Sequence, residues 1–167
     1  MKTTLLSRAL TLVLLLATLS FRSAAPSATN TFSVKVNGKA LSGKAGYNGC
    51  LLMMNAFNLG GNMADGSYVS LEFMPAAFPK LPATLPLGVQ SLERYAKLWY
   101  YPKGLKEPLN MYSSSSGSIT ITSYDASART ISGTFSGKLL RQKNLASVPS
   151  DAIQLADGRF DVAFMKR

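Results

Sequence analysis

Apolar and polar side chains alternate through much of this chain, and this period of two constrains its fold more than any other feature. Residues 32–36 read FSVKV, residues 119–122 read ITIT and residues 160–164 read FDVAF. A period of two places alternate side chains on opposite faces of a β-strand. The pattern therefore predicts strands that bury one face against a common interior.

Turn signals divide the first half into segments. Asn37-Gly38 is typical of a type I′ turn and predicts an N-terminal hairpin. The apolar run Cys50 to Phe57 is interpreted as a strand covered on both faces, with a short helix as the alternative. A glycine-rich link, Leu59 to Asn62, then leads to a strand over residues 67–73 with Val69, Leu71 and Phe73 on one face.

The second half contains longer irregular stretches. Four prolines between Met74 and Gly88 restrict that region to loop, edge strand or a single helical turn. Strand character returns at Ala96–Tyr101, and the run Ser113 to Ser116 is interpreted as a polar loop. A hairpin follows, with Ile119 and Ile121 on one arm, Ile131, Phe135 and Leu139 on the other, and a loop at 124–129. The last strand is predicted to start after Asp157-Gly158.

These segments predict an all-β domain over residues 26–167. Eight to ten short strands joined by Gly, Pro, Asn and Ser turns, without a helix of three turns, are typical of an antiparallel β-sandwich or a flattened β-barrel. Apolar residues make up 47% of the chain and charged residues 16%, which is the composition of a globular domain.

Residues 1–25 read as a signal peptide. Lys2 and Arg8 give a basic start, and an apolar segment over residues 9–19 is too short to span a bilayer comfortably. An uncleaved anchor is the alternative, and cleavage after Ala25 or after Ser27 remains open. We therefore expect a secreted, periplasmic or extracellular domain with no integral membrane segment after cleavage.

The sequence contains no histidine and a single cysteine, Cys50. It therefore excludes Ser-His-Asp and Cys-His catalysis, intramolecular disulfides and multi-thiolate metal sites. Pairs of carboxylates and Ser-Lys chemistry remain, but turn geometry, an exposed strand face or a loop rich in Lys and Arg accounts for the acidic residues considered. We expect no catalytic residue, metal or cofactor, and Cys50 is interpreted as a buried apolar residue.

The order of the segments resembles an uncharacterised family of secreted domains common in Bacteroidetes. The resemblance rests on Val36-Asn37-Gly38-Lys39 near the start, on Gly117 to Thr122 and Ile131 to Ser136 in the hairpin, and on Asp157 to Val162 at the end. Residues 43–112 match this pattern only loosely. The resemblance implies an all-β secreted domain and carries no catalytic residue or ligand.

The best candidate for a binding site is the aromatic and basic stretch of residues 94–112. Aromatic rings with a polar handle stack on sugars, and neighbouring cations hold acidic groups. Alternation separates Trp99 and Tyr101 from Leu98 and Tyr100, but leaves open which pair faces outward. The predicted ligand-binding residues are Arg94, Tyr95, Lys97, Trp99, Tyr101 and Tyr112.

We therefore expect a non-enzymatic binding or cell-envelope accessory domain with a glycan or acidic polymer as partner. Removing residues 1–25 leaves 15 basic and 8 acidic residues, a net charge of +7. Nucleic acid is not expected as a partner, because the basic residues are scattered and the leader directs the chain out of the cytoplasm. A lipocalin-like barrel that carries a small apolar ligand is the alternative. Whether the domain has a protein partner is left open.

Overall fold

The structure is a computed structural model that describes residues 28–74, 78, 80–88, 95–143 and 146–166, with the backbone alone for 47–49. Ten strands and one 3-10 turn (Gly104–Lys106) account for most of these residues. The strands are β1 (Thr31–Val36), β2 (Lys39–Met53), β3 (Ala56–Met63), β4 (Tyr68–Phe73), β5 (Ala83–Pro86), β6 (Ala96–Tyr101), β7 (Tyr112–Asp125), β8 (Thr130–Lys143), β9 (Ala146–Ala163) and β10 (Met165–Lys166).

Eight of the strands form a closed ring. They are hydrogen-bonded in the order β1-β9-β8-β7-β6-β4-β3-β2, and β1 pairs with β2 to complete the circuit. Every pair in the ring is antiparallel. Outside it, β5 pairs with β7, and β10 pairs in parallel with β2. The predicted all-β fold is confirmed, as a flattened barrel or sandwich-like structure.

The interior is filled with apolar side chains from every strand of the ring. Val69, Leu71 and Phe73 are fully buried, as the alternation in β4 predicts. The largest fully buried side chains are Phe32, Phe57, Leu59, Val69, Leu71, Phe73, Leu98, Ile119, Ile121, Ile131, Leu139 and Leu155. The lipocalin-like alternative requires a site enclosed by the strands. Packing of this kind favours a site on the surface instead.

The prediction of one strand or a short helix over Cys50 to Phe57 is wrong. β2 ends at Met53 and β3 begins at Ala56, with Met54 (φ 50°) and Asn55 (φ 63°) forming a tight turn between them. A two-residue hairpin of this geometry needs positive φ at both positions, which asparagine tolerates and methionine rarely adopts. Met54 is 87% exposed although it is apolar. An uninterrupted apolar sequence therefore gives no sign of the turn.

The predicted glycine-rich link over Leu59 to Asn62 is also wrong, because these residues lie inside β3. Gly60 pairs with Ser70 and Gly61 with Val69, in unbroken register with β4. The two glycines face opposite sides of the sheet, and an aromatic ring covers each one: Tyr68 lies against Gly60 and Phe32 against Gly61. Strand glycines often mark such close approach of a neighbouring group.

Ser113 to Ser116 form part of β7 rather than the predicted polar loop. Ser113 and Ser114 pair with Leu140 and Leu139 on β8, and the register shifts between Ser114 and Ser116. The Ser115 hydroxyl donates a hydrogen bond of 3.0 Å to the Lys138 carbonyl. A β-bulge therefore accommodates the serine run within the strand.

The last long strand begins at Ala146, well before Asp157-Gly158, so its predicted start is wrong as well. Asp157 has φ 53°. At this position the register of β9 shifts against both of its neighbouring strands, β1 and β8. The signal Asp-Gly therefore marks a bulge within β9 and not a strand boundary. The Asp157 carboxylate forms an exposed ion pair with Lys35, at 2.8 Å.

Cys50 is buried in the core, as expected, and burial raises the pKa of its thiol. The predicted signal peptide and Arg94 lie outside the described residues. Within the described part of the chain, no helix has the length and apolar character needed to cross a membrane.

Candidate functional site

The alternation in β6 decides which aromatic side chains reach the surface. Ala96, Leu98 and Tyr100 are buried, whereas Lys97, Trp99 and Tyr101 are partly exposed. Leu98 lies opposite the fully buried Leu71 in the register with β4, which fixes it on the inner side. Trp99 and Tyr101 therefore belong to the outer face of the sheet.

The neighbouring strand contributes to the same outer face. Tyr68, Ser70 and Glu72 of β4 lie opposite Tyr101, Trp99 and Lys97, respectively; Tyr68 and Ser70 are buried within this face and Glu72 is partly exposed. The ring centroids of Tyr68 and Tyr101 are 5.9 Å apart, within the range of attractive aromatic pairs. We name this surface the aromatic face and define it by Tyr68, Tyr95, Lys97, Trp99 and Tyr101.

Trp99 is flanked by small hydroxyl side chains on both sides. Ser70 of β4 and Ser113 of β7 are its partners in the antiparallel register. In the described part of the chain, no other aromatic ring stacks on the indole. The indole is partly exposed, Ser70 is buried and Ser113 is partly exposed, and the two hydroxyls are hydrogen-bonding groups on either side of the ring.

Lys97 places its ammonium group over two aromatic rings. Its Nζ atom is 5.5 Å from the ring centroid of Tyr95 and 5.1 Å from that of Trp99. A cation within about 6 Å of an aromatic centroid is attracted by the ring quadrupole. Among the described residues, no carboxylate forms an ion pair with Lys97, so its charge lies among the rings without a paired anion.

Tyr95 is held by Glu72. The Tyr95 hydroxyl donates a hydrogen bond of 3.1 Å to Glu72 Oε2. Partial burial, followed by the negative charge and hydrogen bond of Glu72, raises the pKa of Tyr95 to about 12. Burial, with a smaller effect of the Glu72 charge, also raises the pKa of Tyr101. Both phenols are therefore neutral hydrogen-bonding groups at physiological pH.

Partial burial of Tyr95, together with its contact with Glu72, predicts that this tyrosine loses its proton at an unusually high pH. In the folded protein Tyr95 should keep its proton until about pH 12, against 10.0 for an ordinary tyrosine. Because the folded pKa is the higher one, the stabilisation is complete below pH 10 and is lost as the pH rises through about 12. Near-ultraviolet tyrosinate absorbance should lose this last step in Tyr95→Phe, and Glu72→Gln should shift it to lower pH. An unchanged titration in Tyr95→Phe would contradict the assignment.

The predicted site residues are only partly brought together. Tyr95, Lys97, Trp99 and Tyr101 lie on the aromatic face. Tyr112 is buried on the inner side, where its ring centroid is 6.4 Å from that of Tyr100. Its hydroxyl donates to Asp151 Oδ1 at 3.0 Å, far along the chain from the aromatic stretch.

Sequence reasoning missed the part of the aromatic face that β4 supplies. Tyr68, Ser70 and Glu72 occupy the polar positions of a strand whose inner face was correctly predicted. That alternation was the available signal for their outward orientation. It did not indicate that β4 lies next to β6, because residues 74–95 separate the two strands in sequence.

The described residues do not suggest a metal site, since no three cysteine or acidic side chains among them are grouped as ligands. Comparison of the chain with protein families, curated proteins and solved structures finds no match. The functional argument therefore depends on the geometry of the aromatic face.

Proposed function

We propose that this protein is a non-enzymatic binding domain that recognises acidic glycan chains through the aromatic face. The observation that carries the proposal is the position of Trp99, an outward indole between two serines with the Lys97 ammonium over one side of its ring system. An indole can stack on the apolar face of a sugar ring, and the ammonium beside it can pair with a carboxylate on that sugar.

A purely structural role for these side chains accounts for less of the geometry. Cross-strand aromatic pairs stabilise sheets, and the Tyr68–Tyr101 pair fits that role. Trp99 has serine partners instead, and among the described residues it forms no aromatic pair. Lys97 likewise lies over rings although Glu72 is its cross-strand partner. Both features support a surface prepared for a ligand with apolar faces and negative charge.

The charge of the whole chain agrees with this ligand class. With residues 1–25 removed as the leader prediction implies, the net charge is +7, which attracts polyanions at a distance. A domain outside the cytoplasm would meet acidic polysaccharides of the cell envelope or its surroundings. The same electrostatic contribution makes the proposed binding sensitive to salt.

The test uses oligogalacturonate and its fully methyl-esterified form, which share a backbone but differ in charge. Trp99 is the single tryptophan of the chain, so a change in its fluorescence reports directly on the aromatic face. We expect the acidic oligosaccharide to bind and to change the emission, and the ester to bind more weakly. If neither form binds to the folded protein at low salt, the proposal is wrong.

Variants identify which group binds which part of the ligand. By calorimetry, Trp99→Ala should weaken binding of oligogalacturonate by about 30-fold or more, as expected for a central aromatic anchor. Lys97→Gln should remove the preference for the acidic form while retaining binding of the ester. Lys138→Gln, the same charge change at an exposed position on β8, is the matched control and should have little effect. Equal binding by Trp99→Ala and the wild type would contradict the assignment.

A further inference from the structure

A cleft lies beside the end of β8 and the start of β9, apart from the aromatic face. Its volume is about 600 Å³, within the range of small-molecule sites. The loop before β7 forms one side and these two strands form the other. The side chains that line it include Leu109, Met111, Arg141, Lys143, Val148 and Asp151.

One part of the cleft is apolar. Leu109 and Met111 of the loop before β7 and Val148 of β9 line the same space. Leu109 is 85% exposed, so it contributes almost nothing to the core of the free protein. The Met111 carbonyl accepts a hydrogen bond from the Gln142 backbone at 2.9 Å, which ties the loop to β8. An apolar chain bound here would cover side chains that are otherwise exposed to water.

The other part of the cleft contains an oriented arginine. The Arg141 guanidinium lies 5.3 Å from the ring centroid of Tyr112 and donates a hydrogen bond of 3.3 Å to its hydroxyl. That hydroxyl donates in turn to Asp151. The ring and its hydroxyl therefore fix the guanidinium plane while most of its five N–H donors remain available.

The charge of Arg141 is not neutralised by a direct ion pair among the described residues, where the two ion pairs are Lys35–Asp157 and Lys103–Glu107. Lys143 adds a second positive charge to the lining. A planar guanidinium matches a carboxylate through two parallel hydrogen bonds. Asp151 nearby disfavours a doubly charged head group, because like charges repel.

We propose that this cleft binds a small amphipathic carboxylate, with its head group on Arg141 and its apolar chain along Leu109, Met111 and Val148. The proposal is independent of glycan binding, because it uses other residues and another ligand chemistry. It assigns a role to the exposed Leu109 and to the hydrogen-bonded series Arg141–Tyr112–Asp151, neither of which belongs to the aromatic face.

The experiment compares three probes by calorimetry and by NMR of methyl-labelled methionine. Decanoate has both the head group and the chain, acetate has the head group alone, and decyltrimethylammonium has the chain with the opposite charge. We expect decanoate to bind most tightly and to shift the Met111 methyl signal, assigned with Met111→Leu, while Trp99 fluorescence stays unchanged. Equal binding of acetate, tighter binding of the ammonium probe or an unmoved Met111 signal would overturn the proposal.

Two sets of variants make the assignment specific. Arg141→Gln should weaken decanoate binding by roughly 10- to 100-fold, the loss expected for hydrogen bonds to a charged group. Arg141→Gln also removes the contact with Tyr112 and could disturb the fold. The second set therefore consists of two substitutions of the exposed Leu109, which should leave folding unaffected. Leu109→Glu should weaken binding by roughly two- to fivefold more than Leu109→Lys, owing to the sign of the added charge. The same affinity in both Leu109 variants would contradict the proposed head-group position.

Discussion

Phe57→Ala is expected to lower the free energy of unfolding by about 3–5 kcal/mol, the usual cost of removing a large aromatic side chain from a packed core. Phe57 is fully buried in β3. Its ring centroid is 5.3 Å from that of Phe73 and 5.0 Å from that of Phe164. It also lies 6.5 Å from Phe78 and 5.9 Å from Tyr124, so one side chain links segments from much of the chain.

The size of this effect follows from the number of segments that meet at Phe57. The surrounding rings come from β4, β7, the segment after β4 and the residue before β10, and they cannot all move inward to fill the space. The residual cavity therefore adds to the lost transfer free energy. Phe57→Leu should give an intermediate loss, because it keeps much of the apolar volume but loses the aromatic pairs.

Equilibrium unfolding in urea measures these differences as shifts in the midpoint at constant slope. Leu105→Ala is the control, since Leu105 is 57% exposed and its truncation should change stability by less than about 0.5 kcal/mol. A loss below about 1 kcal/mol in Phe57→Ala would mean that this aromatic cluster contributes little to the core.

The sequence predicts correctly those turns and strands in which the preference of the local residues agrees with the backbone conformation that the fold requires. Asn37-Gly38 forms the predicted turn with φ of 47° and 84°, because both residue types accept positive φ. The inner faces of β4, β7 and β8 follow the alternation. Met54-Asn55 forms a similar turn without glycine, and a methionine at positive φ is too uncommon for any sequence rule to anticipate.

The candidate site could be predicted only as a segment. Both faces of Ala96–Tyr101 carry aromatic rings, so alternation alone could not tell which of them is buried. The pairing of Leu98 with Leu71 decides it, and this contact joins strands separated by more than twenty residues. The same pairing of β4 with β6 adds Tyr68 to the aromatic face, and the pairing of β6 with β7 leaves Tyr112 on the inner side.

Gly60 and Gly61 illustrate why the glycine-rich segment was misread. Glycine weakens a strand through its flexibility, so two in succession favour a loop from sequence alone. In the fold they are the positions where rings on opposite faces approach the β3 backbone. Tyr68 covers Gly60 on the outer face, and Phe32 covers Gly61 on the inner face. Aromatic cover of a strand glycine supplies packing that its missing side chain cannot.

This arrangement predicts opposite consequences for two neighbouring substitutions. A Cβ atom at Gly61 would lie 2.5 Å from Cγ of Phe32, whose ring is buried and stacked on Phe160 at 6.2 Å. Gly61→Val should therefore lower the free energy of unfolding by about 3 kcal/mol, the upper part of the range for overpacked cores. Strand propensity alone predicts the reverse sign, because valine is favoured in strands over glycine.

Gly60→Val is the matched variant on the outer face. A Cβ atom there would overlap the hydroxyl end of Tyr68, which is the far end of that side chain, whereas at Gly61 it would meet Cβ and Cγ of Phe32, next to the Phe32 backbone. Its cost in urea unfolding should be clearly smaller than that of Gly61→Val, while near-ultraviolet circular dichroism should register the broken Tyr68–Tyr101 pair. If Gly61→Val were as stable as the wild type, Phe32 could not lie against β3. Equal losses at both positions would mean that Tyr68 is held as rigidly as a core residue, and the aromatic face would then be structural rather than available to a ligand.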